Sequence, residues 1–183
     1  MSRGLHHVRN LWADTRAVAA VEFAIVVPFM LLLYVGGVEL GNGLAISVKV
    51  SETAHTVADL VSRNACVTDA SLSTMLGASA ATIAPYTSAN TTVVVSEVST
   101  DASGKATVTW SKALNGTARP VAQQVILPAA LGTPSPSNTS LILGEVTYQY
   151  KPNLGYTITG TIPIGESYYL FPRVSSAVQF PCS

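Results

Sequence analysis

The first long pattern along the chain is an apolar run from Val18 to Val38, in which Glu22 is the one charged residue before Glu39. About 21 residues at roughly 1.5 Å rise per residue cover roughly 31 Å, which matches the ~30 Å hydrocarbon core of a bilayer. The run therefore predicts a membrane-spanning helix. A lone glutamate inside such a helix costs on the order of 2–3 kcal/mol unless it finds a partner, so Glu22 is a candidate functional residue.

Beyond the membrane segment the apolar residues return with a helical period. They recur at spacings of four, three and four: Val50, Ala54, Val57 and Val61. This spacing predicts an amphipathic helix that continues from the span and ends near Cys66. A second helix is predicted from about Asp69 to Pro85, because a proline stops a helix.

After Pro85 the apolar residues alternate with polar ones, which is the period of β-strands. Five extended segments are predicted: Thr91–Val98, Lys105–Ser111, Glu145–Lys151, Tyr156–Ile164 and Arg173–Phe180. The first is evenly apolar and therefore central, and the turn Asp101–Gly104 joins it to the second. In the second segment, Ala106, Val108 and Trp110 are predicted to face the same side.

The predicted fold class is α+β, with a transmembrane helix that continues into an amphipathic helix, a second helix and an antiparallel β-sheet domain, like the stalk and head of a pilin. Residues 128–138, rich in Pro, Gly and Ser, are predicted to form a surface loop. Four segments follow from this pattern: a cytoplasmic leader at 1–17, the transmembrane helix and membrane exit at 18–46, extracytoplasmic helices at 47–85 and the β domain at 86–183.

Charges on either side of the apolar run predict its orientation. Arg3, Arg9 and Arg16 precede it, and positive residues favour the cytoplasmic side. We therefore expect a single-pass inner-membrane protein with a cytoplasmic N-terminus and a periplasmic C-terminal domain. The alternative is a cleaved signal peptide, whose apolar region is about 7–15 residues long and thus shorter than this run.

Composition narrows the function classes further. The chain is 48% hydrophobic, 11% charged and has a formal net charge of zero, so the basic patch expected of a nucleic-acid-binding protein is missing. Cys66 and Cys182 are the two cysteines. In an oxidising compartment they can pair and close a loop of roughly 116 residues, worth about 4–5 kcal/mol in the chain-entropy model. Two unpaired thiols are the alternative.

Candidate chemistry is sparse. None of the three histidines, His6, His7 and His55, has a triad partner at motif spacing. No phosphate-binding loop, paired-histidine motif or zinc-ligand spacing is present, so no catalytic residue, metal or cofactor is predicted. A membrane-tethered enzyme or binding module stays open as an alternative. It would need a polar cluster built from the following residues: Glu97, Asp101, Glu145 or Glu166 with Arg173.

Glu22 lies close to the cytoplasmic interface, where its side chain can snorkel to water. A second interpretation needs a cation at the same depth. If the leader is removed just before Val18, the new α-amine lies about one helical turn from Glu22, and a neighbouring subunit's amine can neutralise the carboxylate during assembly. Pro28 removes a backbone hydrogen bond and can kink the helix. Gly37 and Gly41 form a small-xxx-small pair that permits close helix packing. A flexible exit of the chain from the membrane is the alternative interpretation of these glycines.

The segment Arg16–Phe23, followed by Ala24–Pro28 and by Val38-Glu39-Leu40-Gly41, resembles the N-terminal motif of TadE-like (TadE/TadG-like) proteins. These are minor pseudopilins of tight-adherence (Tad/Flp) pilus systems. The strand sequence Val146–Pro152 resembles one often seen in their exported domains. The resemblance implies cleavage by a prepilin peptidase between Ala17 and Val18, before a segment ending in Glu22-Phe23. Ala17 stands where the family usually has glycine.

The resemblance implies a structural role in pilus assembly, initiation or adhesion, and not an enzyme. Its implied partners are the prepilin peptidase, sibling pseudopilins, the major Flp pilin, the inner-membrane assembly platform and the lipid bilayer. Whether the subunit enters the extracellular pilus stays open. The alternative, favoured by Ala17, is an uncleaved periplasmic assembly factor anchored in the inner membrane.

Overall fold

The computed structural model describes residues 15–132, 136–152 and 160–182. Within these residues, two α-helices precede five strands: α1 (Thr15–Ser62), α2 (Asp69–Ala81), β1 (Thr91–Thr100), β2 (Ala106–Leu114), β3 (Gln124–Val125), β4 (Ser140–Tyr150) and β5 (Ile162–Leu170). The predicted α+β class, with a long apolar N-terminal helix followed by a second helix and an antiparallel sheet, is confirmed. The described residues form two compact units that divide between Asn42 and Gly43.

The second unit is built on a five-stranded antiparallel sheet with the order β3-β2-β1-β4-β5. The prediction of a central first strand is confirmed, because β1 pairs with β2 on one side and β4 on the other. The turn Asp101–Gly104 joins β1 to β2 as predicted, and Gly104 has a φ of 79° there. Both faces of β1 are covered, which accounts for its even run of valines.

The main core lies between the sheet and the C-terminal part of α1. α1 contributes the predicted amphipathic stripe, Val50, Ala54, Val57 and Val61, together with Ile46 and Ala58. α2 adds Leu72, Leu76 and Ala80 to the same core. Gly144 of β4 sits against this stripe. A Cβ atom on Gly144 would lie 2.6 Å from the carbonyl oxygen of Ala54 and 2.8 Å from Cγ1 of Val57. Glycine at this position therefore sets how closely β4 approaches α1.

A β-bulge separates the two halves of β2. Glu97 pairs with Trp110, but the next residue, Val98, pairs with Val108, so Thr109 has no counterpart on β1. The extra residue places Trp110 in the main core, while Ala106 and Val108 belong to a second core cluster. The predicted common face of these three side chains is therefore wrong, because strict alternation does not continue through a bulge.

The second core cluster lies on the sheet face turned away from α1. Leu143 belongs to it, whereas its neighbour Ile142 belongs to the main core, as expected for successive strand residues. The chain that follows β2 returns as β3 along the edge of β2, where Val125 pairs with Ala106. This return covers the small cluster, and β3 was not predicted because two residues carry no readable period.

The C-terminal segment, residues 171–182, is not the predicted strand Arg173–Phe180. Within it, the one β-contact is a bridge between Cys66 and Gln179. Its backbone instead bonds to the turn between the helices, where Val67 N donates to Gln179 O at 2.9 Å and Gln179 N donates to Ala65 O at 3.1 Å. Partners supplied by a turn do not repeat along the chain, so the segment cannot continue as a strand.

Several element boundaries also differ from the predictions. α1 ends at Ser62 rather than near Cys66, and α2 ends at Ala81, before Pro85. β4 begins five residues earlier than predicted, at Ser140. The last strand begins at Ile162, and residues 156–159 of the predicted segment Tyr156–Ile164 lie outside the described residues. The predicted loop at 128–138 contains a short 3-10 helix, Ala129–Leu131, and its residues 133–135 are likewise outside the description.

Candidate functional site

The N-terminal part of α1 is uncovered in the described structure. The helix is long and apolar enough to cross a membrane, and none of the residues in its most apolar window of 18 is buried in the described structure. Phe23 is 70% exposed and Leu33 is 74% exposed. Side chains of this size are normally withdrawn from water, so this surface requires lipid or another protein around it.

The residues predicted for processing and charge pairing lie on successive turns of this helix. Ala17, Val18, Glu22 and Phe23 are all helical, and the helix extends from Thr15 without a break. Because Val18 and Glu22 are four residues apart, they lie on one face of the helix, one turn from each other. Glu22 is exposed on the outside of the isolated helix. Its carboxylate is therefore accessible to a neighbouring chain.

The helix also contains the residues predicted to shape packing. Pro28 lies inside it, and a proline there removes the hydrogen bond to the carbonyl group of Ala24. A Cβ atom added at Gly37 or at Gly41 would meet nothing within 4 Å. Neither glycine is therefore needed for contacts inside the described chain. Their small size leaves room for another helix at this surface.

Cys66 and Cys182 form a disulfide, with sulfur atoms 2.04 Å apart and 116 residues between them in sequence. The bond ties the C-terminal segment to the turn between α1 and α2. Backbone bonds reinforce this attachment at two further points. Arg173 N donates to Ser62 O at 2.8 Å, and Cys182 N donates to Val67 O at 3.1 Å.

Glu97 is a buried carboxylate of β1 that binds the C-terminal segment to the sheet. Its side chain is 3% exposed, and Oε1 accepts hydrogen bonds from Ser140 Oγ at 2.6 Å and from Val178 N at 3.0 Å. The indole Nε1 of Trp110 donates to Val178 O at 2.7 Å. Both backbone groups of Val178 are thus bonded by the sheet, and Glu97 has a structural role.

The sequence of the long N-terminal helix matches a known protein family. Residues 17–59 match the family model described as TadE-like protein. They form a TadE-like domain. No curated protein and no solved structure matches the chain significantly.

The TadE-like domain includes the uncovered apolar helix and the part of α1 that packs on the sheet, as far as Asp59. The family match and the apolar helix together indicate a Tad pilus-associated protein. An N-terminal apolar helix, suited to a span or a signal, and a disulfide indicate a membrane-anchored protein with an extracytoplasmic domain.

The polar cluster required for the enzyme or binding-module alternative does not form beyond the TadE-like domain. Glu97 bonds to Ser140 and Val178, and Glu145 pairs with Arg119. The Asp101 carboxylate accepts hydrogen bonds from Ser103 Oγ, Ser103 N and Lys105 N in the β1–β2 turn. These bonds, and most of all the one from the Ser103 side chain, lower the pKa of the Asp101 carboxyl. Arg173 lies 2.8 Å from Asp59 of α1, while Glu166 lies on the edge strand β5. Among the described residues, no group of three or more His, Cys, Asp or Glu side chains could hold a metal ion.

One ion pair that the sequence did not predict crosses the outer face of the sheet. Arg119 binds Glu145 through two hydrogen bonds, from Nε to Oε2 at 2.5 Å and from an Nη to Oε1 at 2.6 Å. These bonds raise the pKa of the Arg119 guanidinium, because their effect is larger than the opposite effect of burial. Burial, and after it the charge of Glu145, raises the pKa of the Tyr169 phenol. Partners 26 residues apart leave no motif, so this pair was not visible in the sequence.

Proposed function

We propose that this protein is a minor pseudopilin of a Tad-type pilus, anchored in the inner membrane with its C-terminal domain in the periplasm. Residues 1–17 are its cytoplasmic leader and residues 18–46 its transmembrane helix and membrane exit. The observation that carries the proposal is a TadE-like domain whose apolar helix is uncovered along its length and carries an accessible carboxylate, Glu22.

The proposed mechanism begins with removal of the leader by a prepilin peptidase between Ala17 and Val18. The new α-amine of one subunit then pairs with Glu22 of its neighbour, because both charges lose water in the membrane and attract each other strongly there. Pairing of this kind penalises any register in which a charge is left alone. Gly37 and Gly41 allow the neighbouring helices to approach closely.

The partners in this proposal are the prepilin peptidase, sibling pseudopilins, the major Flp pilin and the inner-membrane assembly platform. The role is in assembly, initiation or adhesion of the pilus. Leu44 and Val48 of α1 support the proposal that α1 packs against another helix outside the membrane as well. They are 61% and 58% exposed and lie on the side of α1 opposite the residues that face the sheet. An uncovered apolar stripe of this kind suits a second helix from a neighbouring subunit.

The N-terminal sequence of the protein isolated from its native membrane tests processing. A chain that starts at Val18 is the expected result. A chain that retains the leader overturns the processing step and favours the second candidate, an uncleaved anchored assembly factor. Ala17 supports that candidate, since the family usually has glycine there.

Glu22→Gln tests the charge pairing, because glutamine keeps the size of the side chain and removes its charge. We expect normal membrane insertion and a loss of pili by about tenfold or more, as an uncompensated amine in lipid costs at least about 2 kcal/mol. Glu52→Gln is the matched control, since Glu52 is an exposed carboxylate of the same helix that pairs with Lys49. Normal piliation in Glu22→Gln would show that charge pairing at Glu22 is not the mechanism.

A further inference from the structure

Strand β5 forms a long open edge of the sheet. In the strand order, it pairs with β4 and with no other strand of the described chain. The pairing covers nine consecutive residue pairs, from Tyr150–Ile162 to Ile142–Leu170, with no shift of register. The opposite edge is β3, which has two residues. A regular edge of nine residues presents a row of backbone donors and acceptors to another chain.

Pro163 indicates which backbone groups face outward. A proline inside a sheet stands where an N–H group would point away from the neighbouring strand. Donors of alternate residues point the same way in an antiparallel pair. The N–H groups of Gly165, Ser167 and Tyr169 therefore point away from β4, where a further strand can accept their hydrogen bonds.

Apolar side chains continue the edge at its C-terminal end. Tyr168 is 39% exposed, Phe171 is 49% exposed and Val174 is 64% exposed. The ring of Tyr168 is held in place by an edge-on contact with His55, at 4.6 Å between ring centroids. Exposed apolar groups beside an unpaired strand mark a protein interaction site.

The negative charge of Glu166, at the centre of β5, favours a partner strand with a basic side chain opposite it. Glu166 is exposed, stands opposite Val146 of β4 and has no cation partner in the described part of the chain. A second copy pairing antiparallel about the middle of β5 would place two Glu166 carboxylates opposite each other, which destabilises a strand pair. A basic side chain opposite Glu166 stabilises the pair instead.

We propose that the outer edge of β5 binds an extended segment of a partner protein, which adds to the sheet as a sixth strand. The segment carries Lys or Arg opposite Glu166 and apolar side chains two residues away on either side, facing Ile164 and Tyr168. Main-chain hydrogen bonds supply affinity, and the alternate side chains supply specificity. The inference goes beyond the proposed function, since β5 and the exposed apolar residues that follow it, Phe171 and Val174, lie outside the TadE-like domain.

Synthetic peptides test this proposal on the full-length protein in detergent micelles. The probe is a fluorescent nine-residue peptide with a central lysine, valines two and four residues away on both sides and threonines between them. Its matched control has a central glutamate. Measured by anisotropy at about 0.15 M salt, where distant charges are screened, the lysine peptide should bind about three- to tenfold more tightly.

Charge reversal and a backbone block identify the binding site. Glu166→Lys should reverse the peptide preference, whereas Glu52→Lys, which changes the net charge equally, should leave it unchanged. Ser167→Pro removes one outward N–H group and should weaken binding of the lysine peptide about tenfold or more, while Ser167→Thr should not. Urea unfolding checks that each variant is folded. Should Ser167→Pro not fold, the comparison of Glu166→Lys with Glu52→Lys decides.

Three results would overturn the proposal. The first is equal binding of both peptides, or binding of neither. The second is an equal shift of preference in Glu52→Lys, which would show that net charge and not the edge selects the peptide. The third is self-association of the wild-type protein that Ser167→Pro abolishes while no peptide binds, which would make a second copy the occupant of the edge.

Discussion

Arg119 and Glu145 show how much a single pair of residues contributes to the outer face of the sheet. Their side chains are 30% and 25% exposed, so neither charge is fully hydrated. A two-bond contact between guanidinium and carboxylate fixes the chain after β2 against β4. Removing one partner leaves the other charge half-buried and alone.

Arg119→Met is therefore expected to lower the free energy of unfolding by about 1–3 kcal/mol. The double variant Arg119→Met/Glu145→Leu should lose less than the single variant, since no lone charge remains. Urea unfolding of the detergent-solubilised protein measures both. Arg63→Met, at a salt bridge whose arginine is 60% exposed, is the control, and its cost should be below about 1 kcal/mol. Equal costs for Arg119→Met and Arg63→Met would contradict this view of the pair.

Tyr169 gives a pH prediction at the same scale. Its pKa lies above the ordinary value of 10.0 in the folded protein, chiefly because of burial. The folded state thus favours the neutral phenol, and this contribution to stability is present below pH 10 and is lost as the pH rises through the raised pKa. The difference in ultraviolet titration between the wild-type protein and Tyr169→Phe isolates this phenol among the seven tyrosines. Ionisation below pH 10 would contradict the prediction.

At the scale of elements, the contact between β4 and α1 depends on one glycine. Gly144→Ala places a methyl group 2.6 Å from the Ala54 carbonyl oxygen, and neither backbone can move without separating sheet and helix. We expect a loss of about 1–3 kcal/mol or more in the free energy of unfolding. Gly77→Ala is the matched control, because nothing lies within 4 Å of an added Cβ in α2. It should stabilise the protein by about 0.5–1 kcal/mol.

The elements also show what the sequence could predict. The spacing of Val50, Ala54 and Val57 predicted the helix face that packs on the sheet, because a 3.6-residue period is a property of the local chain. The bulge at Thr109 was not predictable from β2, since it depends on how β1 pairs with it. The C-terminal segment Arg173–Phe180 was predicted as an extended strand, but the turn at Ala65 and Val67 supplies the hydrogen bonds of its backbone.

The candidate site divides in the same way. The membrane helix and the motif around Glu22 were readable because they occupy consecutive residues. With two cysteines there is one possible intramolecular pairing, so Cys66–Cys182 was also predictable. The bonds of Glu97 to Ser140 and Val178 connect residues far apart in sequence. Only the folded chain brings these residues together.

At the scale of the whole molecule, the disulfide and the hydrogen bonds of the C-terminal segment together close the chain by joining its C-terminal end to the turn after α1. Reduction, or the double variant Cys66→Ser/Cys182→Ser, should lower the free energy of unfolding by about 2–5 kcal/mol, because the bond closes a loop of 116 residues. Urea unfolding with and without reductant measures the loss. Reductant should have no effect on the double variant, and a wild-type loss below about 1 kcal/mol would contradict the expected contribution of the bond.

Because Trp110 contacts the C-terminal segment, its fluorescence can report whether that segment is attached to the sheet. Trp110 is one of two tryptophans in the chain, and the other, Trp12, lies in the segment proposed to be removed with the leader. Its indole is buried, bonds to Val178 O and lies 5.6 Å from the ring of Phe180. Release of the C-terminal segment takes away that bond and that ring and exposes the indole to water. In a Trp12→Phe background, a red shift of the emission therefore reports opening of the segment directly, without an added dye.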